Sequence, residues 1–151
     1  MTGTEYKRGV YGALQRAGFA KQRHALHAPG EGATVLVNAE KGFGDQWFIN
    51  AGFCLHRLDP APVERVEKTH MYFRLERLFP AHRELILAAS ALDNPGQPAA
   101  YPLLLDLLAT EIGAGLRALG TEQALIAAYR AGRLGQGLVL RGARELIEAS
   151  A

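Results

Sequence analysis

The chain reads as an α+β domain: an N-terminal helix, an antiparallel sheet of about four strands, and C-terminal helices packed on one sheet face. Three observations predict this. The N-terminal segment carries one apolar stripe at helical spacing. The middle alternates apolar and polar residues in short runs, broken by Gly- and Pro-rich stretches. The last third returns to helical spacing, with glycines and threonines where helices stop and start. Strands grouped together, rather than alternating with helices, favour an antiparallel sheet with helices on one side.

The elements follow in order. Thr4 suits an N-cap and Glu5 the positive end of a helix dipole. Tyr6, Val10, Ala13, Leu14 and Ala17 form the first stripe, and Gly18 supplies a left-handed stop. Residues 23–28 make a short first strand, closed by PGEG. Residues 33–40 make a second and 46–56 the longest. Between these two, KGFGD holds Gly42 and Gly44, the residue type that a hairpin loop needs for positive φ. LDPAP breaks the chain, because proline cannot donate to a ladder. Residues 70–79 make a fourth strand. Residues 83–89 are short and continuously apolar, so periodicity leaves strand and helix equally open. After DNPGQP, Pro102 suits the first turn of a helix whose stripe runs Tyr101, Leu104, Leu105, Leu108, Ile112, Leu116 and Leu119, up to Gly120. Thr121 caps a further helix carrying Leu125, Ile126 and Tyr129, stopped by Gly132. Residues 138–149 make the terminal helix.

At 151 residues the chain is the size of one domain, 1–151, with room for a real core. A composition of 48% hydrophobic and 21% charged residues is ordinary for a soluble protein. The net charge of +2 is small, and the arginines are scattered rather than gathered in a stripe, so no nucleic-acid partner is expected. No apolar run reaches the ~18 residues of a membrane span. The polar N-terminus MTGTEYKRG has no signal-peptide core. A cytoplasmic protein with no membrane partner is the expectation. Cys54 is the only cysteine, so no intrachain disulfide forms.

Successive strand residues face opposite ways. In the longest strand Trp47, Ile49, Ala51, Phe53 and Leu55 form one apolar face, to be covered by helices. The opposite face holds Phe48, Asn50, Gly52, Cys54 and His56. The neighbouring strands add Leu36, Asn38 and Glu40, then His70, Tyr72, Arg74 and Glu76. A solvated outer face is the plain expectation for an antiparallel sheet. Apolar Phe48 and Tyr72 among polar neighbours make it amphipathic, which suits a binding surface. The candidate ligand or partner-binding residues are therefore Asn38, Phe48, Asn50, Tyr72, Arg74 and Glu76. Arg74 and Glu76, two apart on one face, are expected to form a surface ion pair.

No catalytic or metal constellation emerges. Cys54 and His56 share a face, but a zinc site needs three or four ligands. His24 and His27, three apart on a strand, face opposite ways. Cys54 reads as a small buried hydrophobe rather than a nucleophile. GFG is followed by a strand, not by the helix that phosphate binding requires. No cofactor is expected.

The runs LQRAGFAKQRHALHA, VLVNAEKGFGDQWFINAGFCL and YFRLERLFP resemble a bacterial domain-of-unknown-function family, the one catalogued as four-three-zero-four. The likeness lies in a helix ending Gly-Phe, a basic-aromatic strand, the Asn50-Ala51-Gly52 strand centre and the Arg74-to-Leu78 spacing. It implies a single α+β domain and carries no catalytic residue. Departures are Ala25 and Leu26, where that family often has an aromatic, and His82, where it often has tryptophan. Two function classes follow from the residues. The first is a non-catalytic binding module, such as a protein inhibitor or immunity-type protein, acting through the open sheet face on a protein partner. The alternative is a small enzyme acting on a small molecule with His56, His70 or Glu76 on that same face.

Overall fold

The computed structural model of the chain describes residues 1–61 and 63–150. Helix α1 spans Gly3–Arg16. It begins two residues earlier than expected, because Thr2 rather than Thr4 takes the cap and accepts from the Glu5 amide at 3.1 Å. Tyr6, Val10, Ala13 and Leu14 are buried as expected, and Gly18 takes φ +104° beyond the helix end.

Among the described residues the sheet is antiparallel and has six strands in sequence order, against the four or so expected. They are β1 (Ala20–Lys21), β2 (Leu26–Pro29), β3 (Ala33–Lys41), β4 (Trp47–Leu55), β5 (Met71–Arg74) and β6 (Leu138–Val139). The run 23–28 is shifted and split: residues 22–25 form the turn between β1 and β2, where Gln22 N–H donates to Ala25 O at 2.8 Å. The two extra strands are two-residue edges, too short to show an alternating pattern.

The β3–β4 hairpin is the long element, paired from Ala33 opposite Leu55 to Lys41 opposite Trp47. Its loop closes with Gly42 N–H on Gln46 O at 2.8 Å and Gly44 at φ +59°. The loop end is tied to the helical layer, since Trp47 N–H donates to Ser90 O at 2.8 Å and Leu92 N–H to Asp45 O at 3.0 Å.

The run 70–79 is not one strand. β5 ends at Arg74, and Leu75–Leu78 form a single helical turn, α2. Burying both Leu75 and Leu78 against the helical layer requires the helical spacing of three, which a strand would place on opposite faces. Residues 83–89 resolve as helix α3 (Arg83–Ala89). Helix α4 (Gln97–Ala109) starts earlier than expected, with Pro98 in its first turn and exposed Pro102 inside it. The long stripe breaks at Thr110 into α5 (Glu111–Leu119), where the Thr110 hydroxyl donates back to Asp106 O at 2.6 Å. Thr121 caps α6 (Glu122–Arg130) on the Ala124 amide at 3.1 Å, and Gly132 follows at φ +77°. The terminal run divides into β6 and α7 (Arg141–Ala149).

The main core lies between the inner sheet face and the helices. Ile49, Phe53, Phe73 and Leu75 are buried with Leu104, Leu108 and Ile112. Trp47 and Leu105, expected inside, are half-buried; Trp47 sits at a strand end with its ring 5.5 Å from that of Tyr6. Among the described residues no single helix is long and apolar enough to cross a membrane; α4 and α5 together pass by length and composition but are bent by 41°.

Phe53 is fully buried, with its ring edge-on to Phe73 at 6.0 Å. Phe53→Ala is expected to cost about 3–5 kcal/mol in urea denaturation. A loss no larger than that of a surface substitution would mean that this face of β4 does not carry the core.

Candidate functional site

The hairpin register places Asn38 directly opposite Asn50, and β5 places Arg74 opposite Asn50 on the other side. These three residues therefore stand in a row across the outer sheet face. Asn50 Nδ2 donates to Asn38 Oδ1 at 3.0 Å, and Arg74 Nη1 donates to Asn50 Oδ1 at 3.2 Å. Asn50 is only 1% exposed, so these bonds are what let an amide sit in a strand centre.

Arg74 is held on three sides. Its guanidinium carbon lies 3.9 Å from the centroid of the Phe48 ring, and Nη1 also donates to Glu40 Oε1 at 3.2 Å. The Tyr72 hydroxyl points to the same carboxylate at 3.5 Å, and burial followed by the Glu40 charge pushes its phenol above the ordinary range. Arg74 and Glu40 are 33% and 48% exposed, so the pair adds at most about 1 kcal/mol of stability. Its effect is positional: it fixes where the guanidinium points. Five of the six residues expected to form a site, Asn38, Phe48, Asn50, Tyr72 and Arg74, do lie together. Glu40 belongs with them. Strand alternation had placed it on this face, but only the register reveals its bonds to Arg74 and Tyr72.

Glu76 is set apart from the polar row, and meets the patch only where it lines a cavity with Phe48. It lies on α2, is 6% exposed, and forms no ion pair with Arg74. One carboxylate oxygen, Oε2, is buried with no hydrogen-bond partner among the described residues. The expected surface pair fails because the chain leaves the strand at Leu75, so residues 74 and 76 no longer share a face.

The outer face is also not open along its length. Val66–Lys68 form a 3₁₀ turn that crosses it, with Val66 packed in a second apolar cluster beside Ala25, Leu36 and Cys54. Gly52 makes the crossing fit, since a β-carbon there would overlap the Thr69 side chain. Thr69 closes the turn through its hydroxyl, which bonds Val66 O at 2.6 Å and Met71 O at 3.0 Å. The crossing divides the face into the Arg74 patch and a separate cavity of about 370 Å³ lined by His27, Thr34, Cys54, His56 and Asp59.

That cavity lacks the marks of a reactive centre. Cys54 is 4% exposed, and burial pushes its thiol up to about 11. His56 Nε2 is engaged by the Thr34 hydroxyl at 2.8 Å, and His27 Nδ1 by Ala20 O at 3.1 Å. His70 Nδ1 accepts the Leu55 amide at 2.9 Å, so the neutral ring serves as part of the backbone pairing. Burial holds its titration below the ordinary value of 6.5. Among the described residues no group of three or more His, Cys, Asp or Glu side chains is placed to hold a metal ion. Glu76 lies on α2, past the end of β5, and shares no hydrogen bond with His70 among the described residues. No family model, curated protein or solved structure matches the chain.

Two outcomes follow. Asn50→Ala strips Asn38 and Arg74 of a partner and is expected to cost about 1–3 kcal/mol in chemical denaturation. Asn38→Ala should cost less, because that site is half-exposed. Protonating His70 breaks its bond to the Leu55 amide. Its folded-state pKa is depressed, so the stability it contributes is complete above pH 6.5 and is lost as the pH falls from there through the lowered value. NMR titration of the ring should give a midpoint below 6.5, and His70→Asn should flatten the acid limb of the stability curve.

Proposed function

We propose that the chain is a non-catalytic binding module of the inhibitor or immunity type, meeting a protein partner with Asn38, Phe48, Tyr72 and Arg74; Asn50, expected among the contact residues, is buried and instead supports Asn38 and Arg74 from beneath. The observation that carries this reading is the way Arg74 is held. Phe48 and the bonds to Glu40 and Asn50 fix the guanidinium, while its Nε and Nη2 hydrogens have no acceptor among the described residues. A side chain ordered in advance loses little rotamer freedom on binding. Arginine and tyrosine are also the types that most often anchor interfaces. The unused donors favour an acceptor-rich partner surface, one that presents a carboxylate or backbone carbonyls.

The enzyme reading is the weaker one. It calls for His56, His70 or Glu76 on the outer face, where His56 is engaged by Thr34, His70 by the Leu55 amide, and Glu76 lies on α2 rather than on a strand. Small-molecule binding in the His27–His56 cavity would be a separate site. The resemblance to the domain-of-unknown-function family supplies no activity to add.

The test is affinity capture with the tagged chain, then calorimetry of the captured partner with variants. Tyr72→Ala and Arg74→Ala are each expected to weaken binding by ~1–2 kcal/mol or more. Arg74→Ala leaves Asn50 with its Asn38 bond, and Tyr72 is half-exposed, so both variants should still fold. Unchanged affinity in both, with binding lost on substitution of Arg141 and Glu145 in α7, would move the interface off the sheet.

A further inference from the structure

Folding gathers cations that the sequence scatters. Lys7 and Arg8 stand on the exposed side of α1, Lys21 ends β1, and Arg23 lies in the turn that follows. All four line one groove of about 810 Å³ between α1 and that turn. No aspartate or glutamate lines it, and none of the four cations forms an ion pair among the described residues. The chain holds 17 Lys and Arg against 15 Asp and Glu, so with these four set aside the rest of the molecule is net acidic. Positive potential is therefore concentrated at the groove.

Two aromatic rings lie between the cationic walls. Trp47 and Tyr11 are both half-buried and line the groove. The Tyr11 hydroxyl accepts the Ala39 amide at 3.2 Å, which fixes the ring against β3, and Lys7 Nζ sits 5.4 Å from its centroid. The lining residues of α1 run from Gly3 to Gln15, a length of about 18 Å along the axis. That exceeds a single phosphate group and suits a chain of them.

We infer that this groove binds a segment of single-stranded nucleic acid, with Lys7, Arg8, Lys21 and Arg23 on phosphates and a base against Trp47 or Tyr11. Cations on both walls with aromatic rings between them are the arrangement that single-strand binding uses. The expectation of no nucleic-acid partner rested on the lack of a basic stripe along the sequence. The fold builds a short one from two elements. The groove shares no residue with the Arg74 patch, so the two readings stand or fall separately.

The experiment is fluorescence anisotropy of a labelled oligouridylate of about fifteen nucleotides, with emission from Trp47, the single tryptophan, followed in parallel. Binding is expected to quench Trp47. Four phosphate contacts to a single strand predict a loss of about 50-fold in affinity between 50 and 200 mM salt. Arg8→Glu and Arg23→Glu should each weaken binding about tenfold or more. Both sites are exposed, and circular dichroism checks the fold. Arg141→Glu, an equal charge change far along the chain on α7, should leave affinity unchanged. The inference is overturned by no binding at 50 mM salt, by an equal loss in Arg141→Glu, or by a polyglutamate peptide competing as well as unlabelled oligonucleotide.

Discussion

The register of the β3–β4 hairpin is the constraint on which the rest of the structure depends. Nine residues of each strand pair without a bulge, and the side-chain period of two then assigns each residue to one face. Val35, Val37 and Ala39 go inward with Ile49, Ala51 and Phe53. Asn38 and Asn50 go outward together, and Glu40 goes with Phe48. A slip of β4 by one position would turn Asn50 into the main core, expose Phe53 and leave Asn38 without its partner. The loop and the ties from Trp47 and Leu92 to their neighbours hold the hairpin end in place. Both the core and the polar row across the outer face are therefore consequences of one pairing.

The outer face illustrates how a sheet surface is divided. A single glycine, Gly52, leaves room for Thr69 and the 3₁₀ turn to lie on the sheet. The turn brings Val66 over Leu36 and Cys54 and builds a second, smaller apolar cluster. Cys54 is thereby sealed, and its thiol is pushed away from reactivity. His70 is drawn into the backbone pairing as an acceptor. The groups that suggest chemistry in the sequence are thus largely spent on structure. Phe48, Tyr72 and Arg74 stay partly accessible on one side of the turn, and His56 on the other.

Charge in this protein organises position more than stability. The Glu40–Arg74 pair is half-exposed and screened, so it holds a guanidinium in place without adding much to folding. The opposite holds for Glu76. Its carboxylate is taken inside by α2, with one oxygen lacking a partner among the described residues. The cations around the α1 groove are different again: they have no carboxylate neighbours there, and their field is directed outward.

The sequence by itself determined the fold class, the N-terminal helix, the two long strands and which of their faces meets the core. Those features depend on local periodicity, and the apolar alternation of Trp47 through Leu55 is strong enough to survive any packing partner. It also marked Asn38, Phe48, Asn50, Tyr72 and Arg74, because strand alternation puts them on one side whatever lies across from them. The tertiary structure alone decided the remainder. The two-residue edge strands exist only because a neighbour offers backbone groups to pair with. The turn at Leu75, which carried Glu76 inward, is set by the need to bury Leu75 and Leu78 together. The covering of Cys54 and the break at Thr110 depend on contacts between distant residues. The same is true of the cationic groove, because Lys7 and Arg23 meet only when β1 and β2 are laid against α1. Local spacing carries none of that information, since the energies that select these arrangements come from burial and pairing across the chain.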